Sequence, residues 1–202
     1  MQIVKNPKHS TLYFDCRLRL LRVSVEPSLY FNFETRGLEM DRSPAGEREL
    51  VAVADVNFID DFSGLRFTVG SGDAREVFDV QSKYECDRVL YQFASQLLAS
   101  PVECPGGSDV LEVAIEKGVV TRINVMRMRD GVVEKSMRIT HKDGVVCLVI
   151  PSPWQRVALR SLGVEDGRLV CESEENGGAS YELALPGAVE RLLSRLLEVG
   201  FG

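Results

Sequence analysis

Gly-Val-Val occurs three times in this chain, at Gly118, Gly131 and Gly144, and successive copies start 13 residues apart. A turn-type residue precedes each copy (Lys117, Asp130, Asp143), and runs rich in Val, Ile, Met and Thr lie between them. Asp-Gly between such runs is a two-residue hairpin signal, because both central residues of that turn need positive φ. The stretch from Asp109 to Ile150 is therefore predicted to be a four-stranded antiparallel meander. One face of such a sheet must be covered, which points to an α+β protein of antiparallel sheets with helices segregated to one side.

Cys104-Pro105-Gly106-Gly107-Ser108 divides the chain into two segments, 1–103 and 109–202, with the same predicted order of elements. The first has strand-like runs at Leu29–Glu39, Glu49–Phe58, Leu65–Val69 and Glu76–Val80. A helix over Lys83–Ala99 follows, opened by a capping box of Ser82 and Glu85. Cys86, Leu90, Phe93, Ala94 and Leu97 fall on one face of that helix. The second segment has the meander, then Ser152-Pro153-Trp154-Gln155, a capping box with proline at the first helical position. The helix it opens is predicted to run to Leu162 and stop at Gly163. Both halves thus read as ββββα, an internal duplication of pattern, in two domains or one intimately packed domain. Three pieces lie outside the two units. Thr11–Val25 reads as an extra N-terminal strand bearing Arg17, Arg19 and Arg22. Arg168–Glu172 and Tyr181–Leu185 form a hairpin. A leucine-rich helix over Gly187–Val199 docks on the body or makes a dimer contact, which would also protect a sheet edge.

With 45% hydrophobic and 27% charged residues over 202 positions, the composition is that of a soluble globular protein with a real core. No apolar run approaches the roughly 20 residues of a membrane span. The N-terminal residues Met1-Gln2-Ile3-Val4-Lys5 lack a signal-peptide pattern, so a cytoplasmic location is expected. Five cysteines without a Cys-x-x-Cys pair and two histidines imply neither a disulfide framework nor structural zinc. No metal or cofactor is expected. Phosphate-binding Gly-rich loops, G-x-S-x-G and His-Glu-x-x-His are all missing. Asp60-Asp61 lies in a turn context, and His141 has no nucleophile placed beside it by any motif. Enzyme activity is not expected. Net charge of −6 counts against a generic nucleic-acid coat, whose binding needs many neutralised phosphates, but leaves room for a local basic site.

Strand alternation places such a site. A two-residue turn at Asp130-Gly131 pairs Arg129 with Val132, hence Arg127 with Glu134 and Ile123 with Arg138, and paired residues share a face. One face then collects Leu111, Val113, Met126, Met137, Ile139 and Leu148 as core, with Arg122, Asn124, Lys135 and His141 as exceptions. The other collects Ile123, Val125, Arg127, Arg129, Arg138 and Val149. That mixed face could carry a strand of nucleic acid, pack on a partner sheet, or be a solvated face on which Glu134 partly neutralises Arg127. Tyr13 and Tyr30 are the candidates for an exposed stacking platform, whereas Phe31 and Phe33 read as core.

Two successive ββββα units with helix starts at Ser82 and Ser152 resemble the PUR-alpha repeats, the Whirly proteins and the mitochondrial guide-RNA-binding proteins, with the PC4 coactivator as a one-unit relative. The resemblance spans about Leu29 to Gly163 and rests on element order. It implies that open sheet faces bind single-stranded DNA or RNA, often in an oligomer. The expected function is non-catalytic binding of single-stranded nucleic acid through Arg17, Arg19, Arg22, Tyr30, Arg127, Arg129 and Arg138. The rivals are a protein-interaction or assembly subunit, and a small-molecule pocket between the halves.

Overall fold

The turns at Gly118 and Gly144 form as the sequence requires, and Gly131 lies outside the described residues. Lys117, Asp130 and Asp143 hold φ of 50°, 52° and 53°, and Gly118 and Gly144 hold 80° and 78°, the left-handed geometry that suits the twist of paired strands. At Gly118 a second constraint acts: a Cβ there would lie 2.4 Å from Cδ1 of Tyr84, so this hairpin tip packs beneath an aromatic ring.

The computed structural model describes residues 2–14, 19–24, 28–33, 35–41, 48–59, 61, 63–70, 72–99, 108–130, 132–151, 154–174 and 178–200. The first half comprises β1 (Gln2–Lys5), β2 (His9–Phe14), β3 (Arg19–Ser24), β4 (Ser28–Asn32), β5 (Gly37–Asp41), β6 (Arg48–Ile59), β7 (Gly64–Val69), β8 (Glu76–Gln81) and α1 (Glu85–Ala99). The second comprises β9 (Ser108–Glu116), β10 (Val119–Arg129), β11 (Val132–Lys142), β12 (Val145–Pro151), β13 (Trp154–Glu165), β14 (Arg168–Ser173), β15 (Ser180–Ala184) and α2 (Gly187–Gly200). Hydrogen bonds join the strands in the order β1-β8-β7-β6-β5-β4-β3-β2-β9-β10-β11-β12-β13-β14-β15. All neighbours are antiparallel except β1 and β8. The seam between halves is the pairing of β2 with β9, with Leu12 opposite Val113.

Two discrete ββββα units are therefore not what forms. Each half is a seven-stranded meander closed by one helix, β2–β8 with α1 and β9–β15 with α2, and the first half adds β1. The predicted N-terminal strand over Thr11–Val25 is the β2–β3 hairpin. The predicted strand Leu29–Glu39 is two, β4 and β5, divided by a turn in which Asn32 Oδ1 accepts a bond from the Thr35 amide at 3.1 Å and Arg36 holds φ of 51°. The predicted helix from Ser152 to Leu162 is strand β13, with Val157 opposite Leu148 and Arg156 opposite Val149. Ser152 and Pro153 lie outside the described residues. A cap signal contributes only about 1 kcal/mol, and a short helix draws most of its stability from packing. A full register of bonds and side-chain contacts against β12 outweighs both.

Both 12-residue strands, β6 and β13, turn a corner. The ladder shifts between Val53 and Asp55 in one and between Leu159 and Ser161 in the other. Such bulges bend a strand and raise its twist, so its first part pairs back and its second part pairs forward. In the first half this sets off a four-stranded section of β6, β7, β8 and β1 from the eleven antiparallel strands that follow.

Both helices cover one face. Leu12, Leu21, Phe31, Leu38, Phe67, Val113, Ile123, Ile139, Leu148 and Leu169 join Leu90, Phe93, Leu192, Leu193 and Leu196 in a single buried cluster. The apolar arc of α2 is thus spent on the body of the protein. Helix α2 packs on α1, and its end meets the start of α1 over β10: a Cβ on Gly200 would lie 2.5 Å from Val120 Cγ2 and 2.9 Å from Cys86 Sγ.

Polar groups interrupt this core beneath α1. Asp87 is buried and accepts a bond from Ser82 Oγ at 2.5 Å, and the same hydroxyl accepts from the Tyr84 amide at 3.1 Å just ahead of the helix, not from the Glu85 amide that a capping box would use. Ser10 lies near enough to influence both Asp87 and Tyr91, yet Ser10 Oγ, Asp87 Oδ1 and the Tyr91 hydroxyl reach no partner at hydrogen-bond geometry. Burial, only partly offset by the Ser82 and Ser10 hydroxyls, raises the Asp87 carboxyl above the ordinary carboxylate range. An acid raised on folding holds its proton more tightly folded than unfolded. Its contribution therefore favours folding at low pH and becomes a cost as pH climbs through the raised value. Asp87→Asn is expected to melt above the wild type near neutral pH, with the gap closing as pH falls below about 4. A gap that is constant or widens on acidification, measured by thermal denaturation across pH, would contradict this.

Candidate nucleic-acid interface

The register of β10 against β11 decides where the arginines go. Arg129 pairs with Val132 as the turn demands, but the ladder shifts between Arg127 and Met128. Arg127 then pairs with Lys135 instead of Glu134, and Ile123 with Ile139 instead of Arg138. One extra residue in β11 reverses the side of β10 relative to β11 beyond it. Ile123 and Val125, expected on the binding face, belong to the core at 0% and 3% exposure. Arg122 and Asn124, expected as core exceptions, turn to the face away from the helices.

The seven expected contact residues consequently separate. Arg138 lies on the face away from the helices, opposite Asn124 and Val149. Arg127 turns to the helix side, where its Nη2 donates to the Ala184 carbonyl at 3.1 Å. Arg129 sits at a hairpin tip, 3.4 Å from Glu134 Oε1. Arg22 shares the far face with Tyr30, its guanidinium 4.9 Å from the ring centroid. Tyr30 is no exposed platform: it is buried, at 5% exposure. Arg19 pairs with Phe14 through the backbone, and Arg17 lies outside the described residues.

What the far face does bring together is a second set. In one cross-strand row Asn124, Arg138, Val149 and Arg156 are neighbours; in the next, Arg122, Thr140, Cys147 and Ala158. Arg138 and Arg156 are two strands apart, roughly 10 Å. Trp154, 69% exposed, precedes Arg156 by two residues and so stands on the same side, roughly 7 Å along the strand. Alternation adds Lys142 to this side. Over β10–β13 these rows hold no carboxylate; Glu112 reaches in from β9 to bind Arg122 at 2.8 Å. Arg138 and Arg156 have no ion-pair partner among the described residues. Arg156 escaped sequence reasoning because its segment read as a helix, and Arg122 because the bulge was not visible; Trp154, which on a helical first turn reads as a packing anchor, instead stands exposed at the start of β13.

Burial pushes the Cys86 thiol up to about 11, helped by the neighbouring Asp87, and the Cys171 thiol to about 12, so neither supplies a thiolate at neutral pH. Among the described residues no group of His, Cys, Asp and Glu is placed to hold a metal ion, and no helix is long and apolar enough to cross a membrane.

Fold and surface together define an α+β protein whose long antiparallel sheet is covered by helices on one side and bears a cationic, tryptophan-tipped array on the other. The chain belongs to the family of unknown function DUF8184, whose model matches residues 2–197. No curated protein matches the chain, and no solved structure does.

Proposed function

We propose that the protein binds single-stranded nucleic acid without catalysis, across the helix-free face of β10–β13. The observation that carries this reading is the clustering of Arg122, Arg138, Lys142 and Arg156 with exposed Trp154, about cross-strand rows that hold no carboxylate over β10–β13, in a chain of net charge −6. Arginine forks suit phosphate oxygens, and an exposed indole offers a base a surface to stack on. The acidic remainder of the chain confines the attraction to this patch. The test is fluorescence anisotropy with labelled single-stranded DNA and RNA of about a dozen nucleotides, at low and physiological salt. Binding that weakens steeply with salt supports the reading, and no binding at low salt overturns it.

A further inference from the structure

The two halves differ in what lies along the outer edge of their last strand. In the first half, β8 is covered by β1, which runs parallel to it with Gln2 opposite Phe78 and Val4 opposite Val80. Val4 is thereby buried in the core. The counterpart of β8 in the second half is β15. Phe67 faces Phe78 where Cys171 faces Tyr181, and Leu65 faces Val80 where Leu169 faces Leu183. Among the described strands β15 pairs only with β14.

The uncovered side of β15 has the hydrogen-bonding groups a strand would use. Leu185 N donates to Gly167 O at 2.8 Å, and Ala179 O accepts from Ser173 N at 3.0 Å, so odd-numbered residues here turn their backbone toward β14. By alternation Ser180, Glu182 and Ala184 turn theirs outward, and the Arg127 bond to Ala184 O confirms the direction. Beside this edge lies a cleft of about 330 Å³, lined by Ser180–Glu182 on β15, by Lys135–Met137 on β11 and by Leu148–Ile150 on β12. Glu182 is engaged by Arg168 at 2.7 Å, whereas Lys135 has no ion-pair partner among the described residues. Lys135 is therefore the uncompensated charge in the cleft's lining.

We infer that this cleft accepts an extended segment of a partner protein, running parallel to β15 as β1 runs along β8. The segment carries apolar side chains at alternate positions, opposite Tyr181 and Leu183, and an acidic residue near Lys135. Main-chain bonds to the Ser180 and Glu182 carbonyls and amides supply affinity, and the apolar wall supplies selectivity. The site lies along β15, and it shares with the nucleic-acid face only Val149, whose row neighbours Arg138 and Arg156 do not line the cleft.

The probe is a fluorescein-labelled peptide, Glu-Val-Gln-Val-Gln-Glu, titrated into the full chain with amide hydrogen exchange followed in parallel. Saturable binding is expected, with exchange at the Glu182 amide slowed at least about tenfold. N-methylation of the first valine removes the donor to Ser180 O and should weaken binding by about tenfold or more. Lys135→Glu, an exposed substitution, should do likewise without loss of folding, while Arg138→Ala/Arg156→Ala should leave peptide binding intact. No binding at about millimolar peptide, equal binding of a scrambled peptide, or unchanged exchange at Glu182 would each overturn the inference.

Discussion

A chain carrying Arg138→Ala and Arg156→Ala is expected to bind single-stranded oligonucleotides about a hundredfold more weakly at low salt. Each charge-assisted contact to phosphate contributes about 1.5 kcal/mol or more, close to a factor of ten. The salt dependence should change as well. Two fewer neutralised phosphates flatten the slope of log affinity against log salt by about 1.4, at about 0.7 per contact on a single strand. Arg127→Ala is the control, since that side chain lies on the helix side, bonded to Ala184 O, and should leave binding unchanged. Trp154→Ala should cost about 1–3 kcal/mol of binding if a base stacks there. Glu112→Gln should tighten binding by releasing Arg122, now held at 2.8 Å. A double variant that binds as well as the wild type, or an Arg127→Ala chain that loses binding, would sink the assignment of this face.

Ile123→Ala should cost about 2–5 kcal/mol of stability, the range for truncating a fully buried aliphatic side chain. For a domain of this size that is a fall in melting temperature of roughly 4–20 °C. The side chain is wholly buried between Val113 on β9 and Ile139 on β11. Thr140→Ala, one strand away on the opposite face, should stay within about 0.5 kcal/mol of the wild type. Reversed magnitudes would mean that the register of β10 is the one the hairpin turn alone suggests, with Ile123 outward. Calorimetry on the two variants therefore tests the bulge directly.

That bulge marks how far the sequence could be read. The hairpin turns, the meander over β9–β12, the strands β6–β8, the helix α1 with its buried face, the β14–β15 hairpin and α2 are all legible from Gly and Asp placement and from hydrophobic period. Face assignment beyond the Asp130 turn is not, because a single unpaired residue leaves no compositional trace and yet inverts every later position in the pairing. Strand β13 was misread for a different reason. Val157, Leu159, Leu162 and Val164 fit either period, and the local Ser-Pro-x-Gln signal favoured the helix, while the competing partner, β12, is a tertiary fact. Arg156 was lost with that segment. The element order that suggested two ββββα units depended on the same misreading.

The pairing of Leu12 with Val113 bears on how the chain comes to be folded as it is made. Strand β2 leaves the ribosome about a hundred residues ahead of β9, its neighbour on one side. Sheets closed by contacts so distant in sequence form slowly, and an emerging first half would present β2 with one unpaired edge until β9 follows. Synthesis, at about 5–20 residues per second, then sets a wait of roughly 5–20 seconds in which that edge needs shelter.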